Sequence, residues 1–330
     1  MTTRTSPADL EEFPVFDVIV IGGGPAGLAA ALTLGRAIRP ALLLDSGEYR
    51  NARAENMHNF VTRDGTPPSE FRAIVHSELK QYPTVEIRNA TVDDAKPLAD
   101  GEGFELTLGD GSAVRTRRLV FATGLADELP PIEGFEQAWG RGIYHCPYCH
   151  GYEAARDNPI AVLYTDGIMV DLALHLRRFS ADVVLCADGR LDEIDATALG
   201  RLADSGIPVR GEKIVRLVSG EKGLERIDFE SGEPLPRTAL FAVGQFGQRS
   251  ELPEKLGCRL LPDGCVEVDD FQLTSVPGVY AAGDMAHRAS MPMPMPFVAL
   301  ATASGTLAAI AADKNLVATD TAPRSDVGAA

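Results

Sequence analysis

The sequence lacks the features by which several broad classes of protein are known. It has no run of about 18 apolar residues, so no transmembrane helix is predicted. Lysine and arginine are few, 31 against 47 aspartates and glutamates, and a formal net charge of -16 disfavours contact with nucleic acid or an anionic membrane. Residues 1–12 contain no apolar core, which argues against a secretory signal peptide and predicts a disordered leader.

Cysteine is also scarce, and its pattern bears on the compartment. The chain has five cysteines, and three of them, Cys186, Cys258 and Cys265, follow no recognisable spacing. An odd number without a pattern argues against the disulfide framework of a secreted protein. We therefore expect a cytoplasmic protein.

The other two cysteines form a CPYC motif from Cys146 to Cys149, flanked by His145 and His150. Such a pair can cycle between dithiol and disulfide, and a neighbouring imidazole can accept or supply the proton. A zinc site would need two further ligands, with only the flanking histidines close by. A purely structural disulfide does not suit a reducing compartment. The motif thus predicts a redox-active pair.

Two βαβ patterns along the chain predict nucleotide-binding folds. In the first, the apolar strand 17–21 leads through a glycine-rich turn into a helix ending near residue 38, and strand 41–44 follows. The second consists of a strand, a helix and a strand at 160–163, 167–179 and 182–186. The fold class is therefore α/β, with two Rossmann-like domains, the second inserted into the first.

The remaining segments complete this picture. Residues 85–120 alternate apolar and polar positions between turn signals, which predicts antiparallel strands. A strand at 279–282 and an alanine-rich helix at 297–312 close the fold, and 318–330 are predicted to form a frayed tail.

The first glycine-rich turn carries the spacing of a dinucleotide site. Gly22 permits the tight turn, Gly24 lets a pyrophosphate approach the backbone, and Gly27 allows the helix to pack closely on the strand. The helix N-terminus then offers N–H groups to the phosphates. Asp45, 18 residues beyond Gly27, can accept hydrogen bonds from ribose hydroxyls.

Together these motifs resemble the two-domain flavoprotein disulfide reductases of the thioredoxin-reductase type. The resemblance covers about 13–312 and adds two motifs to those above: Ala122-Thr123-Gly124 before a PPIEG segment, and the stretch ending in Gly283-Asp284. It implies FAD as the cofactor, with Asp284 bonding its ribityl chain or a phosphate, and a homodimer. Further residues that it places at the FAD are Pro25, Ala26, Ser46, Arg50, Asn59, the backbone of Val92, and Val298.

The resemblance also divides the chain into domains. The FAD-binding domain is expected at 1–124 and 244–330, and a smaller NADPH-like domain with the CxxC pair at 125–243. In the second domain Tyr164, Asp166 and Met169 stand in the positions of the three glycines. A bulky ring, a negative charge and a long side chain are each hostile to a dinucleotide, so NADPH binding is doubtful. The alternative is a variant turn that holds NADPH in an unusual pose.

In the family the second cysteine faces the flavin and the first exchanges with substrate, which assigns these roles to Cys149 and Cys146. Thioredoxin reductases have an aspartate directly after the second cysteine. Here His150 follows instead, so both His150 and His145 are candidates for the acid/base.

Segments around 47–52, 57–59 and 143–153 resemble the gliotoxin- and holomycin-type dithiol oxidases. These close small-molecule dithiols and pass electrons from flavin to oxygen. A loop of alternating Met and Pro at 291–296 could form an apolar substrate wall, or equally a surface loop or dimer contact. His58 and His287 could line such a pocket or serve only packing.

Three functions remain open at this point. The leading hypothesis is a thiol oxidase that closes a small-molecule dithiol, with O2 as acceptor and peroxide as product. The second is a reductase of thioredoxin-like proteins driven by NADPH or ferredoxin. The third is a flavin-bearing redox sensor without turnover.

Overall fold

The computed structural model describes residues 15–99, 101–221 and 223–322, and its contacts group them into two compact units. The first unit holds the chain up to Tyr49, Arg72–Leu125, and the chain from Gln248 onward; the second holds Arg50–Phe71 and Ala126–Gly247. The expected leader lies outside the described residues. Residues 50–71, expected within the FAD domain, make their contacts with the second unit instead.

The first unit is built on a seven-stranded sheet. In spatial order six strands are Val85–Asn89, Ala41–Asp45, Val15–Ile21, Ala113–Phe121, Phe104–Leu108 and Val92–Pro97, and Val279–Ala281 also pairs with Ala113–Phe121. Residues 18–21 and 41–44 are buried on both faces, which explains their continuous apolar character. One prediction was wrong here: Val85–Asn89 pairs parallel with Ala41–Asp45, and only the strands from Val92 to Phe121 are antiparallel.

Two long helices cross each other in the first unit. Helix Pro25–Arg36 follows the glycine-rich turn, and helix Val298–Thr321 meets it where Gly305 lies against the backbone of Ala26. A side chain at position 305 would come within 2.0 Å of the Ala26 carbonyl oxygen, so glycine is required there. Helix Leu252–Lys255 also belongs to the first unit, and a small ribbon there pairs Val266–Glu267 with Ala286–His287. Helix Pro68–Leu79 is divided between the units after Phe71.

The C-terminal helix is longer than predicted. It continues to Thr321, so 318–321 are helical rather than frayed, and 323–330 lie outside the described residues. Ion pairs explain the extension: Asp313 meets Arg39 at 2.5 Å, and Asp320 meets Arg117. The hydrophobic pattern alone does not contain these long-range contacts.

The second unit is built on a five-stranded parallel sheet. Its strands in order are Val209–Arg210, Val183–Cys186, Ile160–Leu163, Ala239–Phe241 and Ile143–Tyr144. Alternate residues enter opposite core layers: Ile160 and Val162 pack with the helices, whereas Ala161 and Leu163 pack against a three-stranded antiparallel sheet. That sheet comprises Ile214–Gly220, Gly223–Phe229 and Leu235–Pro236.

The helices of the second unit are mostly short. They are Phe135–Ala138, Pro147–His150, a π-helical turn Gly151–Ala155, Ile168–Leu176, the 3-10 turn Leu191–Glu193, and Ala196–Asp204. The chain passes between the units through two paired strands, Leu125–Glu128 and Gln245–Gln248.

Candidate active site and nucleotide-binding turns

The first glycine-rich turn has the geometry that its sequence predicts. Gly22 has φ +113°, and a side chain there would approach the Ala122 carbonyl oxygen to 2.3 Å. A side chain at Gly27 would lie 1.8 Å from the Gly22 oxygen, so helix and strand touch at the backbone. A side chain at Gly24 would meet nothing within 4 Å. Space for a phosphate group is therefore left open at Gly24, where Pro25 and Ala26 begin the helix.

Asp45 lies at the end of the adjacent strand and is 7% exposed. Its carboxylate accepts hydrogen bonds from the Tyr49 hydroxyl at 2.6 Å and from the Gly47 N–H at 2.9 Å. The Arg72 guanidinium lies 3.8 Å from the centre of the Tyr49 ring. Burial and the bond to Asp45 raise the pKa of Tyr49 to about 12. Neither Tyr49 nor Arg72 was predicted to lie at Asp45, because nothing in the local pattern links them to it.

The C-terminal motif lies beside the same turn. Gly283 has φ +81° and its N–H donates to the Ser304 hydroxyl at 2.9 Å. A side chain at Gly283 would come 3.0 Å from the Ala26 methyl group, so Gly283-Asp284 is brought next to the first helix. Ser304 was not predicted, although a Ser-Gly pair within an alanine-rich helix was its available signal.

The other residues expected at the FAD occupy varied positions. In the first unit Ala122, Thr123 and Gly124 follow strand Ala113–Phe121, Ser46 follows Asp45, Val92 opens strand Val92–Pro97, and Val298 opens the last helix. Arg50 and Asn59 lie in the second unit. Arg50 holds Asp127 through two hydrogen bonds from its Nε, at 3.0 and 3.1 Å, and Asn59 adopts a left-handed φ of 61° in a turn.

The second turn is filled by the chain's own side chains. Tyr164 is 5% exposed and its hydroxyl donates to the Glu193 carbonyl at 3.3 Å, while Met169 is fully buried in the core. The Asp166 carboxylate accepts from the Ile168 N–H at 2.9 Å, at the start of the helix where a dinucleotide would present its phosphate.

Arg190 reinforces this arrangement. It donates to the carbonyls of Tyr164 and Thr165 and lies 5.8 Å from the centre of the Tyr164 ring. The hydrogen-bond donors of its guanidinium are therefore directed at the backbone of the turn.

The CxxC pair lies at the start of a short helix in the second unit. Cys146 and Cys149 form a disulfide, with their Cα atoms 5.2 Å apart. The Cys146 sulfur accepts a hydrogen bond from the Cys149 N–H at 3.0 Å and so caps helix Pro147–His150. Cys186, Cys258 and Cys265 are buried and form no disulfide, and burial raises the pKa of Cys186 to about 12. Reactive sulfur is thus concentrated at the CxxC motif.

Both flanking histidines are held in a largely apolar setting. His150 stacks on Tyr144 with ring centres 4.7 Å apart, and His145 stacks on Trp139 at 5.8 Å. Burial, and then the charges of His145 and His58, lower the pKa of His150 to about 4; burial, and then Arg50, lower the pKa of His145 to about 4. Both imidazoles are consequently neutral near pH 7.

His150 also has hydrogen-bonding capacity that the protein does not use. Both of its ring nitrogens are buried and find no hydrogen-bond partner among the described residues. The His58 ring meets it edge-on at 6.3 Å, and Glu153 lies 3.6 Å from the His58 Nδ1. A buried polar group without a partner costs about 1–3 kcal/mol, so the ring of His150 lies beside the CxxC motif at a cost in stability.

Three potential metal ligands lie together elsewhere, in the first unit. Polar atoms of Asp263, Cys265 and His287 fall within 4.8 Å of one another. His287 Nε2 is 2.8 Å from the Asp263 carboxylate and its Nδ1 is 3.0 Å from the Arg288 carbonyl, and Asp263 also accepts from the Cys265 N–H. These bonds give both ring nitrogens of the buried His287 a partner. In the Met-Pro loop Met293 and Met295 are exposed.

Comparison with known proteins places the chain in a family. Residues 16–305 match the model of the pyridine nucleotide-disulphide oxidoreductases. The chain belongs to this family. Among relatives, the protein "Thioredoxin reductase tcpT" of Claviceps purpurea is 36% identical over 280 residues, covering 82% of this chain and 86% of that protein. "Thioredoxin reductase sirT" of Leptosphaeria maculans is 31% identical over 325 residues, covering 94% and 97%.

A solved structure extends the comparison to three dimensions. The crystal structure of HlmI is 38% identical, covers 93% of this chain and 94% of its own, and superimposes with a TM-score of 0.86. The predicted α/β class and family are confirmed, and the protein is a thioredoxin-reductase-like flavin disulfide oxidoreductase. Within the described residues, no helix is both long and apolar enough to cross a membrane.

Proposed function

We propose that this oxidoreductase is an FAD-dependent dithiol oxidase, which closes an intramolecular disulfide in a small-molecule dithiol and uses dioxygen as acceptor, releasing peroxide. The observation that carries the proposal is the filled second turn. Asp166 occupies the helix N-terminus and Tyr164 the tight bend, where a reductase of this family would hold NADPH. Without a binding site for NADPH, the thiol substrate is the natural source of electrons.

The first turn fits the flavin cofactor that the family uses. Gly22 and Gly24 leave a backbone cradle open to a diphosphate, and Asp45 and Asp284 supply carboxylates for sugar or ribityl hydroxyls. Bound there, FAD would supply two-electron redox chemistry between a reduced dithiol and dioxygen.

The cysteine pair exchanges with the substrate in two steps. A substrate thiolate attacks the Cys146 sulfur, the Cys146–Cys149 bond breaks, and Cys149 departs as a thiolate. The second substrate thiol then attacks the mixed disulfide, which closes the substrate disulfide and releases the Cys146 thiol. Two electrons and two protons have then passed from the substrate to the protein.

His150 is the proposed proton acceptor for this exchange. It is neutral in the oxidised protein because burial lowers its pKa to about 4. A thiolate formed at Cys149 adds negative charge beside the ring, which favours imidazolium. The histidine therefore gains a proton when the thiolate appears. His145 remains the alternative, in contact with Trp139.

Anaerobic mixing tests the direction of electron flow. NADPH should leave the yellow absorbance of the flavoprotein unchanged, whereas dithiothreitol should bleach it, and admission of air should restore it with release of peroxide. Rapid bleaching by NADPH would contradict the proposal. The Cys146→Ser variant serves as the matched control and should not be bleached by dithiothreitol.

The second candidate is reduction of a thioredoxin-like protein, which the names of the relatives from Leptosphaeria maculans and Claviceps purpurea favour. NADPH, or reduced ferredoxin, would then drive the same cysteine pair in the opposite direction. NADPH-dependent reduction of a thioredoxin disulfide at a rate above that of dithiothreitol oxidation would establish this function instead.

A further inference from the structure

A pocket of about 380 Å³ lies entirely within the second unit, and one of its lining residues, Tyr148, belongs to the CxxC motif. Its lining residues are Tyr148, Tyr152, Arg156, His175, Arg178 and Phe179. Tyr148 stands between the two cysteines, on helix Pro147–His150. The wall of the pocket therefore includes the residue that precedes Cys149 in the chain.

The walls of the pocket are aromatic and open to solvent. Tyr148 and Tyr152 are 61% and 59% exposed. The His175 ring lies 5.2 Å from Tyr148 and 5.8 Å from Phe179, so that one line of rings runs from the cysteine motif along the adjacent helix. Large exposed aromatic surface that is concentrated at one place marks a binding site more often than chance exposure does.

The rim of the pocket is cationic. Arg156 lies over the Tyr152 ring, 4.5 Å from its centre, and donates to the Tyr152 hydroxyl, which fixes that wall; Asp157, at 4.0 Å, offsets part of its charge. The Arg178 guanidinium has no ion-pair or hydrogen-bond partner among the described residues. No acidic side chain lines the pocket. In a chain of net charge -16, this local cluster favours an anion.

We infer that the pocket binds the aromatic part of a dithiol substrate that carries a carboxylate, with the ring against Tyr148 and Tyr152 and the carboxylate at Arg178. The inference rests on the proposed dithiol oxidation and adds the class of substrate, an aromatic and anionic small molecule. Ligand pockets typically measure about 300–1,000 Å³, so the volume suits one small ring system.

Calorimetry with an unreactive probe tests the pocket without turnover. The probe is the ring-carboxylated form of ortho-bis(mercaptomethyl)benzene with both sulfurs methylated. Arg178→Gln should weaken its binding about fivefold and Tyr152→Ala about tenfold. Arg141→Gln, at an exposed arginine of the same unit outside the pocket, should bind as the wild type does. Equal binding of this probe by all four proteins would overturn the inference. Wild-type binding of the same compound without its carboxylate, at equal affinity, would also overturn it.

Turnover of the free dithiols separates this inference from the proposed function. Arg178→Gln should raise the KM of the carboxylated dithiol relative to its uncharged analogue, with kcat unchanged. If the wild type oxidises no dithiol in air, the proposed function fails, while calorimetry still decides the pocket. If the variant impairs only reaction with a thioredoxin-like protein, and the probe does not bind, the pocket is a protein-docking surface and the inference is wrong.

Discussion

Acid should destabilise the unit that carries the disulfide, through the histidine that follows Cys149. Burial lowers the pKa of His150 from 6.5 to about 4 in the folded protein. Between pH 6.5 and about 4, His150 therefore binds a proton in the unfolded chain but remains neutral in the folded chain. The stability contributed by the neutral ring is fully present above pH 6.5 and is lost as the pH falls toward 4.

The magnitude follows from the same values. The difference between a pKa of 6.5 in the unfolded chain and about 4 in the folded chain corresponds to about 3 kcal/mol of unfolding free energy for one histidine. At its steepest the free energy of unfolding changes by about 1.4 kcal/mol per pH unit for each such group. His145, whose pKa is also lowered to about 4, adds to the slope.

Urea unfolding of the oxidised protein at several pH values measures this effect. Trp139 is the only tryptophan of the chain and stacks on His145, so its fluorescence reports on this unit. His150→Gln should flatten the decline in unfolding free energy between pH 6.5 and 4. His76→Gln, on a helix of the other unit, controls for loss of a histidine as such. Identical slopes for wild type and His150→Gln would refute the reasoning.

Two further predictions concern the first turn and an ion pair. Gly22→Ala should lower the free energy of unfolding by about 1–3 kcal/mol, because Gly22 has a positive φ and a close backbone contact. Gly24→Ala should fold normally and yet retain less flavin, because a side chain there meets no protein atom but enters the space left for a phosphate. Urea unfolding and flavin absorbance per chain distinguish the two variants. Arg50→Met should lower the unfolding free energy by about 1–3 kcal/mol by leaving Asp127 unpaired, and adding Asp127→Leu should recover part of the loss. A single and a double variant of equal stability would contradict this second prediction.

The sequence was most informative where local pattern determines structure. The turns at Gly22 and Tyr164 could be aligned because strand, turn and helix each leave a signal within about thirty residues. Val85–Asn89 was assigned the wrong direction, because alternating burial looks the same in parallel and antiparallel strands at a sheet edge.

The surroundings of the site depended on contacts that no local pattern records. His58 approaches His150 from a segment nearly a hundred residues earlier in the chain, and Tyr49 and Arg72 enclose Asp45 from two different elements. The aromatic pocket that includes Tyr148 has the same origin, because His175 contacts Tyr148 only through tertiary packing. Such clusters are set by tertiary packing.

Asp166 supplies, with the chain's own carboxylate, a contact that a bound phosphate could make in the second nucleotide fold. A carboxylate supplied by the chain already satisfies an N–H at the opening of its helix, and the Tyr164 ring already fills the bend before it. On the proposed function, this half of the protein would therefore keep its fold without a bound pyridine nucleotide.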